Sequence, residues 1–357
     1  MAILYPILYC KSTILNNHIK SNLDSIDHLF ALMNLTKPCS SERIYWFKKY
    51  RGEFMLFSDY SIYENKKPII SFEIFPPRTE KGYDNLKNEL SQLAALKPDF
   101  ITVTYGAMGT TRDKTLDIAS LIKNHFGIES ACHLTCVGAT KSELDIILQH
   151  INDAGVRNIV ALRGDPPEGE QTFIKPEDGY SYGNELVEHI RNFEARTSNI
   201  NRFGIAVAGY PEKHVEAQEL TTDLANLKRK VDAGADVVIT QLFFNNDFYF
   251  DYVQRARDIG VTVPIIPGIM PILSAKQINR ITSMCGTTIP GELKEKLDAA
   301  IDDDNKARDI GIELCIQQSK ELLSKGVPGI HFYVLNKSSH MIRIMDELSD
   351  DLQKLRA

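Results

Sequence analysis

The stretch DAGVRNIV at residues 153–160 decides the fold, because it recurs as DAGADVVI at residues 232–239 and as SKGVPGIH at residues 324–331. In each copy a helical pattern ends at a glycine, and a short β-rich run follows. Glycine ends a helix readily, since without a Cβ it adopts the left-handed cap conformation at no steric cost. Three copies of this joint predict a fold built from repeated βα units.

Outward from these joints, eight β-branched or aromatic runs alternate with amphipathic helical stretches such as Leu144, Ile147, Leu148 and Ile151. Eight βα units predict a (β/α)8 TIM barrel, with extra helices between Pro290 and Lys325, before the last strand. An open doubly wound sheet is the alternative, but its Gly-x-Gly-x-x-Gly turn is absent from the sequence. The predicted strands are Ile69–Phe75, Phe100–Thr104, Ser130–Cys136, Asn158–Leu162, Phe203–Ala208, Val237–Gln241, Pro264–Pro267 and Gly329–Val334.

Composition excludes several classes of protein. With 43% hydrophobic and 25% charged residues in 357, the chain is globular rather than disordered. Its 41 basic and 47 acidic residues give a net charge of −6, which argues against a nucleic-acid partner. No apolar run reaches the roughly 18 residues that span a membrane. The 6 cysteines show no disulfide-like spacing, so we expect reduced thiols and a cytoplasmic location.

The first part of the chain does not share the alternating pattern. We expect residues 1–60 to be an N-terminal extension, either disordered or an artefact of the start site, and residues 61–357 to form the barrel. Met55 is a plausible true start. A targeting role is disfavoured, because the apolar beginning is short and no arginine precedes Arg43.

Two carboxylates stand at predicted strand ends, where the active site of such a barrel lies. Glu73 alternates with apolar neighbours on the first strand, and we expect burial to raise its pKa and make it a proton donor. The alternative for Glu73 is a buried carboxylate paired with Arg78 or another cation. Asp165 follows the fourth strand, and Pro166 and Pro167 should hold it at the mouth. The alternative for Asp165 is a loop cap.

Other polar residues are ambiguous from spacing alone. Asp223, Asn226 and Lys230 share one helical face, which by itself favours a solvated surface. His214 could contact a phosphate or be exposed. No metal site is predicted, because strand alternation separates Cys132 and Cys136 from His133.

The strand ends together resemble the methylenetetrahydrofolate reductase family, from about Pro68 to the C-terminus. The resemblance rests on six phrases in order: FEIFPPR (72–78), LRGDPP (162–167), AGYP (208–211), ITQLFF (239–244), PGIMP (267–271) and HFYVLN (331–336). It is closest to a bacterial-type catalytic domain, without the regulatory domain of eukaryotic members. We therefore expect no inhibition by S-adenosylmethionine.

The resemblance implies a flavin reaction. NADH or NADPH reduces bound FAD, and the same flavin then reduces 5,10-methylenetetrahydrofolate to 5-methyltetrahydrofolate in a ping-pong sequence that feeds methionine synthesis. It implies that Glu73 is the general acid and that Asp165 lies near flavin and pterin. It places Gln241, Tyr333 and Lys337 at the folate, with Lys337 standing where many members have arginine. It also implies a homotetramer.

The resemblance further implies a set of FAD contacts, which reverses the solvated-surface interpretation of the Asp223 helix. Two alternatives remain open: a pterin-dependent methyltransferase on the same barrel, which would be colourless, and a non-catalytic flavin or folate sensor, which would not oxidise NADH. The implied FAD contacts are Thr104, His133, Arg163, Gly164, Asp165, Tyr182, Tyr210, His214, Glu216, Ala217, Asp223, Asn226 and Lys230.

Overall fold

The computed structural model describes residues 55–62, 67–105, 112–165 and 175–356. Of the extension predicted for residues 1–60, residues 1–54 lie outside the described residues, and so do Pro166 and Pro167, predicted to hold Asp165. A compact unit begins at Met55.

A parallel sheet of nine short strands forms the barrel, in the order β7-β6-β5-β4-β3-β2-β1-β9-β8. The seventh barrel position holds two strands, because Pro267 lacks an N–H and interrupts it. The first of these strands, β7, pairs with β6, and the second, β8, pairs with β9. The two edges of the sheet are thereby joined at this position. The predicted (β/α)8 barrel is confirmed. The strands are β1 Ile69–Ile74, β2 Phe100–Val103, β3 Glu129–Thr135, β4 Asn158–Leu162, β5 Gly204–Gly209, β6 Val237–Thr240, β7 Ile265–Ile266, β8 Gly268–Ile269 and β9 Gly329–Tyr333.

Ten α-helices lie in the described part of the chain. Extra helices before the last strand are present, but they begin earlier than predicted. Helices α7 and α8 are the additions, whereas α9, inside the predicted range, packs against α10 as a regular barrel helix. The helices are α1 Glu80–Ala95, α2 Arg112–Phe126, α3 Lys141–Asp153, α4 Gly183–Arg196, α5 Leu220–Asp232, α6 Asn246–Asp258, α7 Ala275–Cys285, α8 Gly291–Asp298, α9 Asp304–Ser324 and α10 Ser339–Arg356. None of these helices combines the length and apolarity needed to cross a membrane.

Strand alternation divides the barrel into an outer and an inner core. Phe72 and Ile74 face the helices, in the same outer core as Cys132 and Cys136, which confirms the predicted placement of these thiols. Inward-facing apolar residues fill the N-terminal half of the barrel. The C-terminal half is left for polar side chains.

A 3₁₀ helix at Phe57–Ile62 closes the N-terminal end of the barrel. Phe57 is fully buried and stacks edge-on against Phe100, with ring centroids 5.0 Å apart. Its backbone N–H donates to Asn158 Oδ1 at 2.8 Å, and Asn158 Nδ2 donates to the Met55 carbonyl at 3.0 Å. The structure thus includes residues 55–60, which the sequence assigns to the extension, in the barrel core.

Candidate active site

Two adjoining cavities open at the C-terminal ends of the strands. The first, about 420 Å³, lies over the barrel axis, and the second, about 540 Å³, lies against α4 and α5. Both are lined by Leu162, Arg163, Ala208, Tyr210 and His214, so they form one elongated cleft. Each cavity has the size of a small-molecule site.

The cleft gathers nearly all of the predicted site residues. Lys337 is the exception: it is exposed on the loop after β9 and lines neither cavity. The structure therefore does not bring Lys337 together with the other predicted folate residues. The first cavity holds Glu73, Thr104, His133, Arg163, Gly164, Asp165, Tyr210, His214, Gln241 and Tyr333, and the second adds Tyr182, Glu216, Ala217, Asp223, Asn226 and Lys230.

Glu73 lies at the floor of the first cavity, between two histidines. Its Oε2 is 3.1 Å from His133 Nε2 and 3.4 Å from His331 Nε2, and it accepts a hydrogen bond from Thr102 Oγ1 at 3.3 Å. His331 Nδ1 is in turn 2.8 Å from Ser71 Oγ. Inward alternation on β1, β2, β3 and β9 brings these side chains together.

The expected rise in the pKa of Glu73 is wrong. Burial does raise the pKa of this carboxyl, but the charges and hydrogen bonds of His133 and His331 together outweigh burial and hold it well below its usual range. Arg78, the predicted alternative partner, is not among the groups that shift it. Glu73 is therefore an ionised carboxylate in contact with two imidazoles, and any proton held here belongs to the cluster as a whole.

Gln241 and Tyr333 line the first cavity from β6 and β9. The Tyr333 hydroxyl donates to the Thr240 carbonyl at 2.7 Å, which fixes the ring across the barrel. Gly268 permits this position, since a Cβ there would lie 2.8 Å from the ring. Gln241 Oε1 accepts from the Leu242 N–H at 2.9 Å, leaving its amide nitrogen as the group with hydrogen bonds to offer.

Gly164 permits the close approach of β4 to the wall of the cleft. Its φ is +91°, and a Cβ would meet Val137 Cγ1 at 2.4 Å. A side chain at this position would therefore displace Arg163 and Asp165, the cavity residues on either side.

The second cavity contains a partly buried lysine. Lys230 Nζ donates to the Ala208 carbonyl at 2.7 Å and lies 5.6 Å from the ring centroid of Tyr210. Burial lowers the pKa of Lys230 to about 8, although the Asp223 carboxylate opposes this effect. Asp223 is only 5% exposed, and burial raises its pKa. The solvated-surface interpretation of this helical face is therefore wrong, because the face lines a cavity.

An ion pair lies where the two cavities adjoin. Arg163 Nη1 and Nη2 each lie 2.6 Å from a Glu216 oxygen, in a bidentate arrangement. The charge-assisted pair lowers the pKa of Glu216 and ties the end of β4 to the loop after β5. His214 lies on the same loop, and burial lowers its pKa.

The cleft has a donor set that suits FAD. Lys230 supplies a cationic group for a pyrophosphate and Asp223 supplies acceptors for ribose hydroxyls. Arg163 and Arg229 add positive charge nearby, although Arg163 is paired with Glu216 and Arg229 donates to Asn226 Oδ1. A partly buried ammonium with a depressed pKa is a site that an anion would stabilise. The residues that line the second cavity therefore fit FAD. Among the described residues, no group of three or more His, Cys, Asp or Glu side chains is placed to hold a metal ion.

Sequence reasoning missed the partners of Glu73 and the apolar wall of the first cavity. His331, Ser71 and Thr102 were assigned no role, although strand alternation places each on the inward face with Glu73. The apolar wall includes residues from loops and from the extra helix α7, which carry no periodic signal. It is formed by Phe75, Leu242, Met270, Ile281 and Leu335.

The fold and the site define a (β/α)8-barrel protein with a carboxylate–histidine cluster and, beside it, a cleft lined by Lys230, Arg163 and Arg229 at the C-terminal face. The family model for methylenetetrahydrofolate reductase matches residues 60–349, and the chain belongs to this family.

Similar proteins agree with this assignment. "Methylenetetrahydrofolate reductase (NADH) 1" of Zea mays is 42% identical over 291 residues, which cover 79% of this chain and 48% of the maize protein. The 5,10-methylenetetrahydrofolate reductase of Escherichia coli is 41% identical over 269 residues, covering 75% of this chain and 86% of the bacterial protein. The chain spans about half the length of the plant relatives it matches.

A solved structure supports the fold alone. It is an uncharacterized protein from Clostridium thermocellum that binds two copies of 5-methyl-5,6,7,8-tetrahydrofolic acid. The likeness has a TM-score of 0.54 and 17% identity, and it covers 82% of this chain and 98% of the other.

Proposed function

We propose that this barrel reduces 5,10-methylenetetrahydrofolate to 5-methyltetrahydrofolate, with NADH or NADPH as reductant and FAD as the bound cofactor. The observation that carries the proposal is the position of the Glu73–His133–His331 cluster at the floor of a cavity that opens into a second, cationic one. The names of the plant relatives specify NADH, which favours NADH as the donor.

The second cavity would hold the pyrophosphate and adenosine portions of FAD. Lys230 and Arg163 would bind the phosphates, with Asp223 and Asn226 at the ribose. The flavin supplies a centre that accepts a hydride from the nicotinamide and gives it to the folate. A ping-pong order follows from the proposal, because nicotinamide and folate would occupy the first cavity in turn.

The Glu73 cluster would supply the proton for the folate step. Opening the five-membered ring of the substrate requires a proton on the departing nitrogen, whereas hydride transfer from NADH does not. Glu73 Oε2 contacts His133, His331 and Thr102, so the proton would be shared within this cluster and reach the substrate from it. We thus retain Glu73 as the catalytic group with a proton shared across the cluster.

Asp165 and Gln241 would orient the substrates. Asp165 lines the first cavity, where its carboxylate would accept hydrogen bonds from the pterin and repel negative charge on the reduced flavin. Gln241 would donate its amide N–H groups to the folate. Tyr333 would supply an aromatic wall, because its hydroxyl is already bonded to Thr240.

We also propose a cytoplasmic homotetramer with a role in methionine synthesis. The four cysteines in the described residues are free thiols, as is usual in a reducing compartment. Mass determination in solution would test the oligomeric state directly.

The test of the proposed function is the purified protein itself. We expect it to be yellow, to release FAD on heating, and to oxidise NADH in the presence of an electron acceptor. FMN or a colourless protein would refute the proposal and favour a pterin-dependent methyltransferase. A yellow protein that binds folate without turnover would indicate a sensor.

A further inference from the structure

The loop after β9 contains two consecutive residues with left-handed backbone. Leu335 has φ +51° and Asn336 has φ +54°. Asparagine adopts this conformation readily, but leucine seldom does, because its Cβ crowds the following carbonyl. Leu335 lines the first cavity, so the strained residue lies at the site.

The side chain of Asn336 reaches across to the end of β1. The Phe75 N–H donates to Asn336 Oδ1 at 2.9 Å, and Asn336 Nδ2 donates to the Phe75 carbonyl at 2.7 Å. Both hydrogen-bonding groups of one backbone residue are thus satisfied by one amide.

This amide extends a sheet ladder beyond the point where the chain turns away. The last backbone bond between the two strands runs from the Val334 N–H to the Glu73 carbonyl at 3.2 Å. In a parallel pair, Phe75 would next bond to the backbone of the β9 chain. The left-handed turn at Leu335 removes that backbone, and the Asn336 amide takes its place.

The two hydrogen bonds between the Asn336 amide and the Phe75 backbone form a clamp, which joins two parts of the wall of the first cavity. Phe75 and Leu335 both line the cavity that contains Glu73 and Tyr333, and Phe75 is 43% exposed. An aromatic ring left exposed at the rim of a cavity suits the flat face of an aromatic ligand. Beyond the clamp, Ser338 anchors the same loop, because its N–H and Oγ each donate to Glu89 Oε2 at 2.6 Å.

We propose that Asn336 is a positioning residue that fixes the Phe75–Leu335 wall for the pterin or aryl portion of folate. The proposal rests on the proposed function, since folate is taken as the ligand of the first cavity. Asn336 does not touch the reacting atoms. It acts through the backbone of Phe75, two residues beyond Glu73.

The variant Asn336→Gly tests the proposal, because glycine keeps the left-handed backbone and removes only the amide. Asn199→Gly is the matched control: Asn199 also has a positive φ, of +64°, and its exposed side chain lies on the loop before β5, at the opposite face of the barrel. Asn336→Asp is the second variant, since it keeps the acceptor for the Phe75 N–H and loses the donor.

We expect Asn336→Gly to raise the KM for methylenetetrahydrofolate roughly tenfold, the scale of one or two lost hydrogen bonds. The rate constant for flavin reduction at saturating NADH should stay within about twofold of wild type. Hydrogen exchange at the Phe75 amide should accelerate in Asn336→Gly, remain slow in Asn336→Asp and be unchanged in Asn199→Gly.

An unchanged exchange rate at Phe75, or an unchanged KM once the clamp is lost, would overturn the proposal. Equal slowing of both half-reactions would show that Asn336 has only a general structural role, which also overturns it. If the wild-type protein does not reduce methylenetetrahydrofolate, the proposed function fails, and the amide-exchange comparison still decides whether the clamp exists. If Asn336→Gly does not fold, Asn336→Asp decides: loss of Phe75 protection in that variant would refute the clamp.

Discussion

Alkaline pH should stabilise the flavin-free protein through Lys230. Between pH 8 and 10.5 this lysine is neutral in the folded protein and protonated in the unfolded chain, because burial lowers its pKa to about 8. The unfolded chain then binds more protons, so the free energy of unfolding rises with pH across this window.

The magnitude follows from the two pKa values. A fall from 10.5 to about 8 is equivalent to roughly 3 kcal/mol of less favourable protonation in the folded protein. The side chain is only partly buried, and screening by solvent reduces the expected gain from pH 7.5 to pH 10 to about 2 kcal/mol.

Urea unfolding of flavin-free protein at the two pH values would measure this gain. Lys230→Met and Lys230→Arg are the matched variants, since neither side chain titrates in the window. Between the two pH values, the free energy of unfolding of wild type should rise by about 2 kcal/mol more than that of either variant. Comparison with the variants cancels the contribution of all other titrating groups. Lys230→Arg should keep more of the FAD affinity than Lys230→Met, because it retains the charge.

Bound FAD should abolish the difference in pH dependence between wild type and the Lys230 variants. A pyrophosphate beside the ammonium would restore its pKa, so the affinity for FAD should fall as the pH rises above about 8. Equal pH slopes in wild type and both variants would refute the assignment of a depressed pKa to Lys230. A pH-independent FAD affinity would refute the contact with phosphate.

Four further outcomes are expected. Glu73→Gln should leave flavin reduction by NADH near normal and slow folate reduction at least about 100-fold, as followed by stopped-flow absorbance; equal slowing of both would mean that Glu73 only holds the barrel together. Asp165→Asn should raise the flavin reduction potential in spectroelectrochemistry, because it removes a negative charge beside the reduced flavin; an unchanged or lower potential would contradict this placement. Deletion of residues 1–54 should leave the denaturant midpoint and FAD content unchanged, whereas Phe57→Ala should cost about 3–5 kcal/mol of unfolding free energy. A marked loss of soluble protein on truncation would show that the extension contributes to the fold.

The parts of the site that lie on regular strands could be predicted from sequence. Glu73 and His133 alternate with apolar neighbours, so their inward direction follows from the period of two. The glycine joint, which recurs three times, marks where β4, β6 and β9 begin, and the eight β-rich runs set the count of eight barrel positions.

The electrostatics of the site could not be predicted in the same way. The low pKa of Glu73 depends first on His133 and then on His331, which is 258 residues away in the chain and meets Glu73 only when β9 pairs with β1. Spacing alone also cannot distinguish a solvated helical face from one that lines a cavity. The Asp223 face lines a cavity because the residues after β5, including Tyr210 and His214, border the same space.

Segments without periodicity account for the remaining differences. Phe57 lies in a single 3₁₀ turn, whose burial depends on the open end of a barrel formed by residues far along the chain. Lys337 follows a motif that matches the family, yet the left-handed turn at Leu335 and Asn336 leaves it exposed.

A single anaerobic turnover tests whether the bound flavin passes its hydride to the folate. Protein carrying its own flavin would be reduced with one equivalent of NADH, separated from NAD⁺, and mixed with 5,10-methylenetetrahydrofolate. We expect that one equivalent of 5-methyltetrahydrofolate forms as the flavin is reoxidised, and that Glu73→Gln reduces the rate of this step alone. Reduced flavin that persists in the presence of the folate, or product formed without flavin reoxidation, would contradict the account.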